Sequence, residues 1–149
     1  MNNSTPKTVV VDSDALIALF NKDDSNFSKS EGLFQTLLEE KVRIIYPSTV
    51  LVETVDTIQR RLKKHDEAAQ IVKLIAQAQF TAESIEAVDS AYLKEAADLF
   101  NSGGSGTRKT LADCVVMAVT EKHNADAIFS FDEGYSKQGF KLVSKLFQI

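Results

Sequence analysis

The strongest constraint on this chain is a rhythm: short β-branched runs recur along it, each followed by a stretch of helical spacing. Thr8 to Val11 reads as a buried strand, and Ser13 to about Phe20 as a helix. Lys29 to Glu40 carries Leu33, Phe34, Leu37 and Leu38 at helical intervals. Val42 to Tyr46 is a second strand, closed by Pro47-Ser48, a helix-starting pair. Beyond it Leu51, Val55, Ile58 and Leu62 form a helical stripe, and a further helix runs from Ala68 to Gln77. Gln79 to Ile85 is a weaker strand, Val88 to Phe100 is helical, and the loop SGGSGT leads into a helix from Leu111 to about Lys122. Ala127 to Phe131 and Lys141 to Val143 supply the last two strands. Strands separated by a helix's length pair in parallel, so the pattern specifies an α/β fold, a parallel β-sheet flanked by helices. The helix pair after the second strand is an excursion from that sheet. At 149 residues the chain has room for a single domain, residues 1–149, with a core of its own.

Charge and cysteine count exclude several functions. Against 21 Asp+Glu there are 17 Lys+Arg, a net charge of -4, which rules out a polycationic nucleic-acid coat but not an enzyme with a local basic patch. A lone cysteine, Cys114, forbids an intrachain disulfide and a cysteine-based zinc site, and suits a reducing compartment. His65 and His123 are too few for a multi-histidine metal site. Asp12 and Asp14 interrupt the first apolar run, so it is no signal-peptide core, and no uncharged stretch approaches the roughly 20 residues that a bilayer needs. A soluble, cytoplasmic protein without a membrane span is expected.

In a parallel α/β sheet the ligand site lies beyond the carboxyl ends of the strands. Asp12 follows the VVV strand there, and Asp132 ends the IFSF strand. Asp113 stands in the first turn of the apolar LADCVVMAV helix, and Glu53 near the start of the helix that follows the second strand. Each has a structural reading. Asp12 and Asp132 suit helix caps and turns, Thr110 to Asp113 matches a capping box, and Glu53 is favoured by the helix dipole. Together they place four acids, distant in sequence, along one sheet edge. Crowded carboxylates repel one another unless neutralised, and a hard divalent cation with oxygen ligands, Mg²⁺ or Mn²⁺, does this.

The segments VVVDSDALIALF, PSTVLVET, LADCVVMAV and FSFDEGY, in this order and spacing, resemble the signature segments of the PIN-domain ribonucleases. Similarity extends over nearly the whole chain and is greatest to the small toxins of VapC-type toxin–antitoxin pairs. The resemblance implies a PIN-like fold in which Asp12, Glu53, Asp113 and Asp132 are the catalytic and metal-binding acids. Ser130 takes the small-hydroxyl position before the last acid, and Tyr135 stands where the family often has Phe. Asp14 falls where Ser or Asn is frequent, which adds an accessory fifth acid.

The activity so implied is Mg²⁺- or Mn²⁺-dependent hydrolysis of RNA phosphodiesters by an endoribonuclease, with metal-bound water as nucleophile. Arg108 and Lys109, beside the glycines and just before Asp113, are the expected RNA-binding residues. Arg60, Arg61, Lys63 and Lys64 cluster at a helix end, where the dipole alone favours cations. Gly103 to Thr110 nearly spells a P-loop, but Arg108 replaces its second glycine and a helix precedes it. The resemblance also implies a homodimer and a small antitoxin partner received on the helix pair from Ser48 to Gln77. Three alternatives stay open: a stand-alone RNA-processing nuclease, a haloacid-dehalogenase-type phosphatase using Asp12 and Asp14, and a catalytically inactive PIN-like binding module.

Overall fold

The computed structural model of the chain describes residues 6–77, 84–102 and 109–147. Strands β1 (Thr8–Val11), β2 (Arg43–Pro47), β3 (Ile85–Glu86) and β4 (Ala127–Phe129) form a four-stranded sheet in the order β3-β2-β1-β4, with parallel pairings. Val9 lies opposite both Ile44 of β2 and Ala127 of β4, which fixes the register across the centre. Val9, Val10 and Val11 are wholly buried, because a central parallel strand is covered on both faces and its apolar run need not alternate.

The covering helices are α1 (Ser13–Phe20), α2 (Phe27–Glu39), α3 (Ser48–Asp56), α4 (His65–Ala76), α5 (Ser90–Asn101), α6 (Leu111–Lys122) and α7 (Gly134–Lys137). Every residue of α6 from Cys114 to Thr120 is buried, which makes it the central helix of the core. Leu16, Leu37, Ile45, Val116 and Phe129 pack in the same cluster. Among the described residues no helix is long and apolar enough to cross a membrane.

Two helix ends share one device. Lys41 (φ 54°) and Asn124 (φ 47°) take the left-handed conformation after α2 and α6. The amides of Lys41 and Val42 then donate to Leu38 and Leu37 (3.1 and 3.0 Å), and those of Asn124 and Ala125 to Glu121 and Thr120 (3.1 and 2.9 Å). These reversals satisfy the last carbonyls and turn the chain into β2 and towards β4. The stripe from Leu51 to Leu62 does not stay α-helical. Thr57–Arg61 is a π turn, and a small second core of Ile58, Ala68 and Ile71 fastens it to α4.

The sheet departs from the sequence pattern at its margins. The strand expected over Ala127 to Phe131 stops at Phe129, because Ser130 and Phe131 turn aside to bind Asp14. Lys141 to Val143 is not a strand. Leu142 makes one isolated parallel bridge to Ile128, and Val143–Lys145 coils into a 3₁₀ turn, leaving short β4 no longer ladder to share. Of the weaker strand over Gln79 to Ile85, only Ser84 and Ile85 fall among the described residues.

Candidate active site

The strand order places β1 at a switch point: the chain leaves it towards β2 on one side and returns to it from β4 on the other. A crevice opens at the carboxyl end of such a strand. Asp12 occupies it. Its amide still belongs to the sheet, donating to the Phe129 carbonyl at 3.0 Å, while its side chain starts α1 by accepting the Ser13 amide on Oδ1 at 2.7 Å. The capping role and the site role therefore fall on different oxygens. Oδ2 accepts the Tyr135 hydroxyl at 2.6 Å.

Asp113 divides its oxygens in the same way. The capping box is present: Thr110 Oγ1 accepts the Asp113 amide at 3.0 Å, and Asp113 Oδ2 accepts the Thr110 amide at 3.2 Å. The remaining Oδ1 lies 3.3 Å from Tyr135 Oη. Buried Tyr135, at the start of the last short helix, thus stands between the carboxylates of Asp12 and Asp113. A phenol has one hydrogen to donate, and the shorter contact assigns it to Asp12.

The other acids join through hydroxyl groups. Asp14 Oδ2 accepts both Ser130 Oγ (3.0 Å) and the Phe131 amide (2.8 Å), while Oδ1 accepts the Ala15 amide (2.9 Å). Ser130 Oγ in turn accepts the Asp132 amide at 3.0 Å. Exposed Asp132 accepts the Gly134 amide through Oδ1 at 2.8 Å, a tight turn in which a Cβ on Gly134 would crowd that oxygen at 3.0 Å. Glu53, exposed on α3, accepts the Ser13 hydroxyl through Oε1. Both Asp14 oxygens are thus engaged by local donors, an anchoring role unlike the free acid that a phosphatase requires.

Electrostatics follow burial. Desolvation pushes the Asp12 carboxyl up to about 7, with the charges of Asp14 and Asp113 adding to the rise and the bonds from Tyr135 and the Ser13 amide opposing it. Burial also raises Asp14, against the bonds from Phe131, Ser130 and Ala15. The Tyr135 phenol is held far above its ordinary range by burial and then by Asp12, so it remains a donor. Burial raises the Cys114 thiol as well, as suits a core residue rather than a nucleophile.

Among the described residues, no group of three or more Asp, Glu, His or Cys side chains is arranged to hold a metal ion. The donor set still fits a hard cation. Asp12 and Asp113 each turn an oxygen towards Tyr135 Oη, and Mg²⁺ is commonly bound by one or two carboxylates with water completing the shell. Asp14 and Asp132 are linked through Ser130, and Glu53 is bonded to Ser13, the neighbour of Asp12.

Lys109 Nζ donates to the Leu99 carbonyl at 2.8 Å, engaged at the end of α5, and Arg108 lies outside the described residues. Two site residues had only faint sequence signals. Tyr135 stood out as an unusual residue in FDEGY, and Ser13 only as the neighbour of Asp12.

No curated protein sequence matches this chain. Among solved structures, VapC20 of Mycobacterium tuberculosis, a sarcin-ricin loop cleaving toxin, superposes with a TM-score of 0.72 at 21% identity, over 89% of this chain and 95% of its own. FitAcB from Neisseria gonorrhoeae gives a TM-score of 0.66 at 11% identity, over 90% and 95%. At such identities the likeness concerns the fold. The profile of the PIN domain matches residues 9–141, from the middle of β1 to the segment that bridges β4, and so spans Asp12, Asp14, Glu53, Asp113 and Asp132. The chain belongs to the PIN domain family.

Proposed function

We propose that this protein is a Mg²⁺- or Mn²⁺-dependent endoribonuclease, acting as the toxin of a type II toxin–antitoxin pair. The observation that carries the reading is the approach of Asp12 and Asp113 to one point at the end of β1, with Asp12 buried and its carboxyl raised to about 7. Folding has crowded acids where charge is costly, and such perturbed carboxylates cluster at functional sites. Membership of the PIN family supports nuclease chemistry for them. A toxin role draws support from fold likeness to VapC20 and FitAcB.

In this reading Asp12 and Asp113 hold the ion, and Glu53 and Asp132 complete the acidic rim on either side. An ion held there would supply Lewis acidity for activating water and positive charge against the phosphoryl oxygens. Asp12 is fixed by its place in the sheet, and Asp113 by its capping box, so both carboxylates keep their aim without substrate. Tyr135 holds Asp12 from beneath, while Ser13 steers Glu53. Asp14 and Ser130 together brace the loop that carries Asp132. No side chain serves as a covalent nucleophile.

Assembly fits two surfaces. Leu51, Val52, Val55, Val72 and Ile75 line an apolar groove of about 350 Å³ between α3 and α4, the face we assign to the antitoxin. Exposed Leu93, Phe100 and Leu111 on α5 and α6 offer an apolar face to a second copy in a homodimer. A cytoplasmic location follows from the toxin reading, since RNA is the target. The reading is tested by producing the protein alone in a bacterial host beside Asp12→Ala. Growth arrest only with intact Asp12 supports it; normal growth with both, at equal soluble protein, rejects the toxin role.

A further inference from the structure

We infer that Arg60 and Arg61 form a phosphate-binding subsite for single-stranded RNA, continuous with the acidic crevice. This rests on the nuclease reading and adds the path that substrate takes. A chain of net charge -4 with acids around its site must recruit cations to hold a polyanion. Some other cations among the described residues already have a partner, and Lys64 is ion-paired. Lys64 Nζ is bound to Asn21 Oδ1 and Asp23 Oδ2, both at 2.6 Å, and Lys109 Nζ to the Leu99 carbonyl. Lys29 Nζ stands 5.5 Å from the centre of the Phe131 ring. Arg60 and Arg61 are exposed and have no hydrogen-bond or ion-pair partner among the described residues.

Their position is what gives that freedom a use. Ser48, Thr49, Val52, Glu53, Asp56 and Thr57 line one surface depression along α3, and Asp56 and Thr57 also line the next, together with Arg60 and Arg61. The two depressions adjoin along α3, from Glu53, which is bonded to Ser13 beside Asp12, to the arginine pair. Along a helix axis that run is about 10 Å, a span of a few nucleotides at most. The arginines close a π turn, sealed by the Leu62 amide on the Thr57 carbonyl at 3.1 Å, and both line the same depression. Such π insertions are frequent at functional sites. Two guanidinium forks suit phosphate oxygens, and the acid-rich opposite end of that run sets the direction in which the backbone reaches the metal.

The test compares wild type, Arg60→Ala/Arg61→Ala and Arg60→Lys/Arg61→Lys. It measures affinity for a fluorescent single-stranded oligoribonucleotide in EDTA over a salt series, affinity for poly-glutamate, and Mn²⁺ affinity by calorimetry. The double-alanine variant should bind RNA more weakly, with the slope of log affinity against log salt shallower by about 1. The double-lysine variant should keep most of that slope, and Mn²⁺ affinity should be equal in all three. Unchanged RNA affinity and slope in the double-alanine variant, in a wild type that still cleaves RNA, overturns the subsite alone. Loss of poly-glutamate binding without loss of RNA binding overturns it in favour of an acidic polypeptide. A wild type that neither binds nor cleaves RNA overturns the nuclease reading, and the subsite with it.

Discussion

Tyr135 Oη lies 2.6 Å from Asp12 Oδ2, a contact across 123 positions of sequence that joins the last short helix to the end of the central strand. The same oxygen is 3.3 Å from Asp113 Oδ1. The phenol donates its one hydrogen to Asp12 and so fixes that carboxylate beside Asp113, and hydrogen-bonding partners of metal ligands typically govern affinity by 10- to 100-fold. Tyr135→Phe keeps the ring and removes only the hydroxyl. Its Mn²⁺ affinity, measured by calorimetry, is expected to fall on the order of tenfold while the fold is retained. Unchanged or tighter binding would mean that the phenol does not position these ligands.

The raised Asp12 carboxyl makes stability depend on pH with a definite sign. The folded value of about 7 exceeds the unfolded 3.8, so between them the folded state binds more protons. In EDTA the protein therefore loses stability as pH rises through that window, by about 4 kcal/mol if Asp12 acts alone. Asp14, also raised by burial, acts in the same direction. Thermal melting in EDTA should show a higher Tm at pH 5.5 than at pH 8, and Asp12→Asn should flatten the difference. Mg²⁺ should restore wild-type stability at pH 8. A Tm that climbs from pH 5.5 to 8 in EDTA would contradict the assignment.

Asp113 caps its helix and, in the proposed reading, also serves the site, and the two uses separate experimentally. Removing the cap with Thr110→Ala should cost about 1 kcal/mol in urea unfolding and leave Mn²⁺ binding in place. Asp113→Asn retains an oxygen for the Thr110 amide but lacks the charge, so it should hold its stability in EDTA and lose most Mn²⁺ affinity. A large stability loss with intact Mn²⁺ affinity would reduce Asp113 to a cap.

What was legible in the sequence is what local pattern encodes. The valine run ending in Asp12 could hardly be anything but a buried strand with an acid at its mouth, and Thr110 to Asp113 announced its capping box by spacing alone. What was not legible depends on partners far along the chain. Tyr135 is marked in the sequence only as standing where the family often has Phe, and its bond to Asp12 appears with folding. The bond from Lys109 to the Leu99 carbonyl is likewise invisible in the sequence, because its acceptor is a backbone group at the end of α5. Lys141 to Val143 carries strand-like residues, yet β4 is too short to ladder with it. The π turn at Thr57–Arg61 has no sequence pattern, since tertiary packing of Ile58 against Ala68 and Ile71 accompanies it.

The central claim is that Asp12 and its neighbouring acids cradle a cation that cuts RNA. Its most direct test is cleavage of a labelled RNA by the purified protein with Mg²⁺ or Mn²⁺, with EDTA, and with Asp12→Ala in place of wild type. The expected result is cleavage by wild type with either ion, none in EDTA, and none by Asp12→Ala whose melting and circular dichroism show it folded. Full cleavage by folded Asp12→Ala, or by wild type in EDTA, would contradict it.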